Sequence, residues 1–522
     1  MVRLLSFERG IMLTRRRLLG SAAMGLGVLT MPSFLAGCRK SPEALATAPI
    51  PEDPFLSWFG IDEGLVRRVM SQLTARGADL ADLYFQHSRT SSISLEDGIV
   101  AKATTSIDQG VGLRVVVGDQ TGYAFTEDLS EEAILAAART AAAIAKGAAV
   151  EVPERFAINT NGALYTLAVP WSEIGADDKL PRIRKLEEIV RAKDPRIDKV
   201  SISWWDQDDR VLVATLDGKM WTDRRPMTRL WCSLTATDGD QHVSNGANLA
   251  GRKGLEFYDD AALEMLAQQA IDRTMVLFDA IRPPAGELPV VLAAGASGIL
   301  LHEAIGHGLE ADFNRKGVSI YADLMGQRVA PDFVTIVDSG VEPGERGAIA
   351  FDDEGNATEN TVLVEDGVLA SYMHDEISAR HYGVEPTGSG RRQSFRHAPM
   401  PRMRCTFMED GPHEAEEIIS SVELGIVAET FTNGQVQIGA GDFTFYIKNG
   451  WLIEDGKTTA PIKDVNIIGN GPECLRKVTM AAGDGALDTG GWTCGKNRQS
   501  VPVSQGLPTV LVSSMTVGGV DA

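Results

Sequence analysis

Helical and alternating patterns of apolar residues succeed one another along the first 280 residues of the chain. Apolar residues recur at helical spacing over 65–73, which predicts an amphipathic helix at 61–76. β-rich runs separated by turn sequences such as that at 96–98 follow, and they predict an antiparallel meander. The Ala-rich run at 131–146 then predicts a helix that ends this N-terminal unit.

A second unit of helices and strands begins near residue 150. Its predicted helices cover 180–193 and 261–278, and its predicted strands cover 199–205, 210–216 and 230–237. The chain after it is rich in Gly and in β-branched runs, apart from a helical pattern at 297–310. Because helices and strands occur in blocks, this order favours an α+β fold over a doubly wound sheet.

We therefore predict an α+β protein of three domains. They are an N-terminal α/β meander unit at 58–150, a middle α+β unit at 151–282 and a strand-dominated C-terminal domain at 283–522 that carries one metal-site helix. The last boundary falls at the Pro- and Gly-containing segment 281–286, whose composition is typical of a connection between domains.

The first 37 residues have the pattern of an export signal. Arginines at 15–17 precede a stretch that carries no charge before Arg39, and small residues lead up to Cys38. This pattern resembles a twin-arginine lipoprotein signal in which Cys38 is lipidated, with a plain cleaved signal or an N-terminal anchor helix as alternatives. We predict export across the inner membrane to the periplasm or the cell surface, with 38–57 as a tether and the lipid as the only membrane anchor.

Composition excludes several classes of protein. A hydrophobic content of 44% with 23% charged residues is typical of chains that bury sizeable cores. The formal net charge of −21 argues against nucleic acid as a partner, because an acidic surface repels polyphosphate. Mean hydropathy near zero argues against a multi-span membrane protein, and 5 cysteines in 522 residues argue against a disulfide scaffold.

The strongest chemical signal is the segment 302–307, in which His302, Glu303 and His307 lie within the helical pattern. Imidazole nitrogens are good zinc ligands, and a carboxylate beside them can take a proton from an attacking water molecule. In a regular helix, however, residues five positions apart point about 140° away from each other, so they cannot hold one ion. A one-residue π-bulge would realign them, at a cost that Gly306 lowers. The motif predicts either no shared metal or a deformed helix.

A third ligand must come from another part of the chain. The residues alone leave six candidates open, namely Glu310, Asp312, His374, His381, His397 and Cys494. Asp312 is better suited to orienting a histidine, whereas Cys494 lies in a glycine-flanked turn where Lys496 would favour a thiolate. The simplest alternative is two unrelated histidines on a surface helix, with Cys494 as a small buried hydrophobic residue.

A series of short segments is more specific than any one of these residues. The segments are 94–98, 110–114, 302–312, 394–402, 441–445, 468–472, 494–496 and 516–519. In their order along the chain they resemble the TldD/PmbA family, and specifically its metal-bearing TldD-like branch, from about residue 60 to the end. Two features depart from the family pattern: Arg498 stands where the family commonly has a glycine, and the export leader is unusual.

The resemblance implies a zinc-dependent metallopeptidase. By position, His302, His307 and Cys494 would hold Zn²⁺, and Glu303 would be the catalytic base. Family members act on peptides or unfolded polypeptides in a dimer with an internal chamber. The implied partners are therefore such a substrate and either a second copy of the chain, in a homodimer, or a metal-less PmbA-like paralogue, in a heterodimer.

Other functions are compatible with the same residues. His397, in a basic segment, is a candidate substrate-binding residue. Cys494 paired with His397 would instead give a cysteine hydrolase, although that leaves the two-histidine motif unexplained. A non-catalytic exported lipoprotein that binds peptides or a partner is a further alternative, with a structural zinc closed by Glu310 or Asp312 as fourth ligand. Modulation of DNA gyrase, also described for the family, fits poorly with an acidic, exported chain.

Overall fold

The computed structural model describes residues 55–159, 164–165, 167–437 and 439–518. The predicted signal, Cys38 and most of the predicted tether lie outside the described residues. Among the helices in the described part of the chain, none is both long and apolar enough to span a bilayer.

The described residues between 55 and 278 form a layer of helices on a sheet. The helices are α1 (Glu63–Leu73), α2 (Glu131–Ala142), α3 (Ala176–Lys193) and α4 (Asp260–Met275), with short π or 3₁₀ turns at Phe55–Phe59, Trp171–Glu173, Leu255–Phe257 and Val276–Phe278. The strands are β1 (Leu80–Glu96), β2 (Ile99–Val117), β3 (Gln120–Thr126), β4 (Ala157–Asn159), β5 (Ile197–Thr215), β6 (Lys219–Asp238) and β7 (Gln241–Gly251). The predicted helices at 61–76, 131–146, 180–193 and 261–278 are confirmed, with ends that differ by a few residues.

These strands form one sheet in the order β3-β2-β1-β5-β6, and β7 and the short parallel β4 also pair with β6. The antiparallel meander is confirmed, but β1 pairs with β5, so the sheet continues across residue 150 without a break. Side chains alternate between its two faces. Leu83 and Phe85 pack in the core under the helices, whereas Tyr84 faces the C-terminal part of the chain and packs with Phe351 and Phe395.

The remainder of the chain is strand-dominated. Its strands are β8 (Gly286–Leu292), β9 (Ile336–Ser339), β10 (Asn360–Glu365), β11 (Val368–Leu369), β12 (Gly390–Arg391), β13 (Met400–Pro401), β14 (Cys405–Met408), β15 (Leu424–Gln437), β16 (Asp442–Glu454), β17 (Lys457–Ile462), β18 (Val465–Asn470), β19 (Val478–Ala481), β20 (Ala486–Leu487), β21 (Thr493–Lys496), β22 (Gln499–Pro502), β23 (Ser504–Leu507) and β24 (Val510–Gly518). Its helices are α5 (Gly298–Leu301), α6 (Ala311–Arg315), α7 (Glu376–Tyr382), α8 (Ala415–Ser420) and α9 (Gly471–Arg476). The fold is α+β, as predicted.

Two larger sheets enclose the central helical segment of this part. The pairing of β15 with β16 closes the strands β15-β8-β24-β18-β16 into a ring, to which β17 and β19 are attached. A second sheet has the order β11-β10-β9-β14-β23-β20, and β21 and β22 form a separate hairpin. The segment that begins with α5 packs between β14 and β23 on one side and β15 and α9 on the other. This position places the two-histidine motif inside the largest hydrophobic cluster that the described residues form.

Candidate metal centre

The helical segment after β8 carries both histidines of the motif. α5 continues as a π-helical turn at His302–Gly306 and a 3₁₀ turn at His307–Leu309. The backbone N–H of His307 donates to the carbonyl of His302, five residues earlier, which is the bond that defines a π turn. The extra residue brings both rings to one side, with centroids 5.2 Å apart. The prediction of a deformed helix is confirmed.

Two glycines allow close packing around this π turn. A Cβ on Gly306 would overlap the sulfur of Met403. A Cβ on Gly471, at the start of α9, would overlap the carbonyl oxygen of Ala304 within the turn. The absence of a side chain at both positions lets neighbouring segments approach the turn and support its unusual backbone.

Cys494 reaches the same place from the hairpin of β21 and β22. Its Sγ lies 3.5 Å from Nε2 of His307, and one ligand atom from each of His302, His307 and Cys494 lies within 4.8 Å of the others. All three side chains are buried. The structure therefore brings together, from segments far apart in sequence, the three residues that the family resemblance singled out.

This donor set fits a metal of the zinc type. Two imidazoles and a thiolate are common zinc ligands, and tetrahedral coordination sets donor atoms about 3.3–3.6 Å apart. The observed S–N separation of 3.5 Å falls in that interval. Nδ1 of His302 is buried and has no hydrogen-bond partner among the described residues, which is costly for a polar atom unless a further group satisfies it. The chemistry and the clustering of these donors therefore fit a metal ion.

Glu310 holds His307 in place from behind. It is fully buried, and its Oε2 lies 2.9 Å from Nδ1 of His307, which leaves Nε2 of that ring directed towards Cys494. Lys496 Nζ lies 3.2 Å from the same carboxylate oxygen, and Arg402 Nε lies 3.8 Å from the other. Arg402 also donates to the carbonyl oxygen of Cys494 at 2.6 Å, so one cation connects the carboxylate to the hairpin.

The charges of this cluster shift each of its pKa values so that the charged form of the group is favoured. Burial alone would raise the pKa of Glu310, but Lys496 and His307 outweigh it and lower that pKa to about 2. Burial would lower the pKa of His307, yet Glu310 and Cys494 raise it well above its ordinary value. Burial would raise the pKa of Cys494, whereas the two imidazoles lower it well below the usual range. The arrangement therefore favours the thiolate, which is the form of cysteine that binds metals.

Glu303 borders the ligands without joining them. Its Oε2 lies 3.8 Å from Nε2 of His307, and its side chain retains 22% of its exposure while the histidine is nearly inaccessible. A carboxylate next to the ligand atoms but open to solvent is well placed to exchange a proton with a water molecule at the centre.

The other candidate ligands lie outside this group. Glu310 binds His307 Nδ1, and Asp312 accepts a hydrogen bond from Lys496 at 2.6 Å, so the orienting role expected of Asp312 belongs to Glu310. His374 packs between two tyrosines, Tyr372 and Tyr382. His397 hydrogen-bonds through Nδ1 with Ser394 and lines a cavity to which none of the three grouped residues contributes. The imidazoles beside Cys494 are those of His302 and His307, and His397 is not among them.

Sequence reasoning missed Arg402 as part of the centre and misjudged Lys496. Lys496 was expected to act on the thiol, but it pairs with Glu310 and Asp312. The signals for Arg402 were its position in a basic, proline-containing segment and in the family-like segment 394–402. In the described part of the chain, Cys232, Cys405, Cys474 and Cys494 are buried and form no disulfide.

Comparison with known proteins gives the family. The sequence matches models of the PmbA/TldA metallopeptidase domain 1 at 81–145, central domain at 169–278 and C-terminal domain at 285–519. A metalloprotease TldD homolog of Haemophilus influenzae is 38% identical over 456 residues, which cover 86% of this chain and 95% of that protein. A zinc metalloprotease TldD homolog of Saccharolobus solfataricus is 26% identical and covers 85% and 97% of the two chains.

Solved structures agree at the level of the fold. TldE of Thermococcus kodakarensis superposes with a TM-score of 0.68 at 18% identity, covering 88% of this chain and 99% of that one. A Thermotoga maritima protein, described as a candidate modulator of a DNA gyrase, gives a TM-score of 0.70 at 21% identity and covers 87% and 100%. With the family models and the bacterial relative, these matches show that the chain belongs to the PmbA/TldD family and is a metallopeptidase.

Proposed function

We propose that this metallopeptidase is a zinc enzyme that hydrolyses peptides or unfolded polypeptides, with Glu303 as general base. The observation that carries the proposal is the convergence of His302, His307 and Cys494, whose ligand atoms lie within 4.8 Å of one another next to Glu303. The name of the Saccharolobus relative, a zinc metalloprotease, supports the choice of metal.

Different residues of the proposed centre bind the metal, orient a ligand and transfer the proton. His302, His307 and Cys494 hold the ion, and Glu310 keeps His307 in the tautomer that offers Nε2. When bound, zinc acidifies a water molecule and polarises the carbonyl group of the scissile bond. Glu303 accepts the proton of the attacking water on its carboxylate and passes it to the leaving amine.

The engagement of both candidate fourth ligands with other groups favours a catalytic ion over a purely structural one. A closed site would need a fourth protein ligand, and Glu310 and Asp312 were the candidates for it. Glu310 faces Nδ1 of His307, on the side of the ring away from Cys494, and Asp312 is bound to Lys496. Three protein ligands with space for water are typical of catalytic zinc.

The deciding experiment compares Glu303→Gln with the unchanged protein. We expect Glu303→Gln to keep its zinc and to lose at least about a hundredfold in kcat on an unstructured peptide, because general-base catalysis contributes roughly 10²–10⁴-fold. His302→Ala should lose the zinc itself, as measured by elemental analysis. A chelator should abolish activity and added zinc restore it, whereas a cysteine hydrolase would survive. Undiminished hydrolysis by Glu303→Gln would refute the assignment of the base.

Export and assembly complete the proposal. The arginines at 15–17 and Cys38 support a lipid-anchored protein of the periplasm or cell surface, and the family resemblance supports a dimer, either homomeric or with a metal-less paralogue. Mass spectrometry of the native protein should find lipid on Cys38, and Cys38→Ser should release the protein from membranes. Light scattering of the purified chain alone should give twice its mass if the dimer is homomeric.

A further inference from the structure

A cavity of about 440 Å³ lies on the face of the first sheet that is turned away from the helices. Its volume is within the range of ligand-binding pockets. The walls carry six arginines and three aspartates, in a chain whose formal net charge is −21. An excess of positive charge inside such an acidic protein indicates attraction of an anion to this one place.

Three of these arginines, Arg252, Arg346 and Arg391, are buried without a carboxylate partner among the described residues. Each is at most 6% exposed, and their guanidinium groups donate to backbone carbonyl oxygens instead. Nη1 of Arg346 and Nε of Arg252 have no hydrogen-bond partner in the described part of the chain. A buried guanidinium without a counter-charge is costly, and an anion bound in the cavity would lower that cost.

The remaining arginines of the cavity differ, since each has its own acid. Arg225 pairs with Asp353, Arg392 with Asp82 and Arg396 with Asp108. Two of the three arginines without a carboxylate partner have strongly lowered pKa values as a result. Burial lowers the pKa of Arg346 to about 9, helped by Arg229 and Arg252, and burial also lowers the pKa of Arg391 to about 9. A bound anion would offset both the burial of these guanidinium groups and the repulsion between neighbouring arginines.

The cavity continues as a groove along β5 and β6. An adjoining cavity of about 480 Å³ shares Trp205, Arg346 and Thr493 with the first. Every second residue of β5 from Ser203 to Asp209 lines one or both of these cavities. At the usual rise of a strand, this part of β5 is about 20 Å long. This length accommodates an extended peptide of about six residues.

The groove and the metal centre share the β21–β22 hairpin. Thr493 lines the groove, and the next residue, Cys494, points to the opposite face of the strand and reaches His307. Arg346 donates to the carbonyl oxygen of Trp492 at 3.3 Å, so one of the unpaired arginines also contacts the start of this hairpin. A peptide held in the groove therefore lies one hairpin away from the proposed zinc ligands.

We propose that this groove binds carboxylate groups of the peptide substrate, with Arg346 and Arg391 as their partners, so that peptides with a free C-terminal carboxylate or acidic side chains are preferred. Guanidinium groups match carboxylates in charge and geometry. The inference rests on the proposed peptidase function and adds a substrate class to it.

Binding to zinc-loaded Glu303→Gln protein tests the preference without cleavage. Four fluorescent peptides of one unstructured sequence are compared by anisotropy, with either a free or an amidated C-terminus and with either Glu or Gln in the interior. Mass spectrometry verifies that they stay intact. We expect at least a tenfold tighter Kd for peptides that carry a carboxylate, and the two pairs distinguish the C-terminal from the side-chain source. Equal affinity of all four would overturn the proposal.

Variants locate the effect. Arg346→Met, checked for folding by circular dichroism and for zinc content, should reduce the preference to less than threefold. Arg396→Met removes a positive charge from the same walls, but one already paired with Asp108 and Glu127, and should keep the preference. A preference that survives in folded Arg346→Met would refute the location. Inorganic phosphate that stabilises the protein thermally, while acid and amide peptides bind alike, would assign the site to a free small anion instead.

The two proposals can fail separately. If the wild-type enzyme with zinc cleaves acidic and neutral peptides with the same kcat/KM and binds them equally, the groove assignment is wrong and the peptidase proposal stands. If it cleaves none of the peptides under any metal condition, the peptidase proposal is wrong, whatever the binding data show.

Discussion

Among single residues, Glu310 determines which nitrogen of His307 faces the other ligands. Glu310→Gln keeps the shape of the side chain but removes the charge that supports the imidazole from behind at 2.9 Å. We expect zinc affinity to fall at least about tenfold, as is usual when a partner of a ligating histidine is changed. Competition with a chromogenic chelator measures it. Glu303→Gln, the same chemical change beside the ligands, should stay within about threefold of wild type, and equal losses in both variants would contradict the assignment.

His374 makes stability depend on pH from a position outside the metal centre. Burial lowers its pKa to about 4, whereas an unfolded histidine titrates near 6.5. The unfolded state therefore takes up the proton first as pH falls, so this stability is complete above about pH 6.5 and is lost between there and pH 4. Between pH 7.5 and 5 the loss is about 2 kcal/mol.

Replacement of that side chain tests this dependence. In His374→Phe the free energy of unfolding should fall by about 2 kcal/mol less than in wild type over the same pH range, as measured with denaturant in the presence of a chelator. His381→Phe, an exposed position on α7, the helix that begins two residues after His374, is the matched control and should follow wild type. Parallel curves for all three proteins would show that His374 is not neutral in the folded state.

At the scale of elements, the β21–β22 turn shows how the chain accommodates Arg498 where the family commonly has a glycine. Asn497 and Arg498 both have positive φ, 49° and 62°, as the centre of a type I′ turn requires. Arg498 is exposed and adopts a conformation that glycine reaches more easily. The register is nevertheless regular, with Cys494 opposite Val501, so the arginine is accommodated without displacing the ligand strand.

Arg498→Gly should therefore stabilise the protein. Relief of the left-handed backbone is worth about 1–2 kcal/mol, partly offset by the greater entropy of an unfolded glycine, which leaves a net gain of about 0.5–1 kcal/mol. Thermal unfolding of the zinc-loaded protein measures the gain. Arg498→Ala, which removes the side chain but keeps the Cβ, should show no such gain, and an equal gain in both would attribute the effect to the side chain instead.

Local patterns gave the helices and the π turn, because both depend on neighbours within a few residues. The same patterns failed at β5, because they predicted two strands, at 199–205 and 210–216, separated by an acidic segment. The strand is continuous because Asp206 and Asp208 each pair with a cation, Lys179 of α3 at 2.5 Å and Arg224 of the neighbouring strand β6 at 3.1 Å. Polar residues in a strand thus resemble a turn until their partners are known. For the same reason spacing could not identify Cys494, which lies 187 residues from His307, and only the resemblance singled it out.

At the scale of the whole molecule, buried ion pairs join the first sheet to the C-terminal part. Arg114 on β2 donates to Asp82 on β1 at 2.5 Å and also pairs with Glu354 from beyond β9. Arg392 donates to the second oxygen of Asp82 at 3.0 Å. This junction lies on the sheet face that borders the arginine-lined groove, so the same contacts fix the position of that face relative to the metal centre. Sequence pattern contains no trace of it, since its members are isolated charges far apart in the chain.

Because the junction is buried, removal of its central cation should be severe. Arg114→Met leaves two buried carboxylates, Asp82 and Glu354, with an uncompensated charge, and the free energy of unfolding should fall by about 3–5 kcal/mol. Arg68→Met removes a cation from a pair with Glu131 in which both side chains are 52% exposed, and it should cost less than about 1 kcal/mol. Denaturant unfolding compares the two variants with wild type.

Since the junction connects the parts on either side of the groove, Arg114→Met should also weaken peptide binding, whereas Arg68→Met should not. Similar small losses in both variants would mean that apolar packing of Tyr84 against Phe351 and Phe395, rather than charge, holds the two parts together.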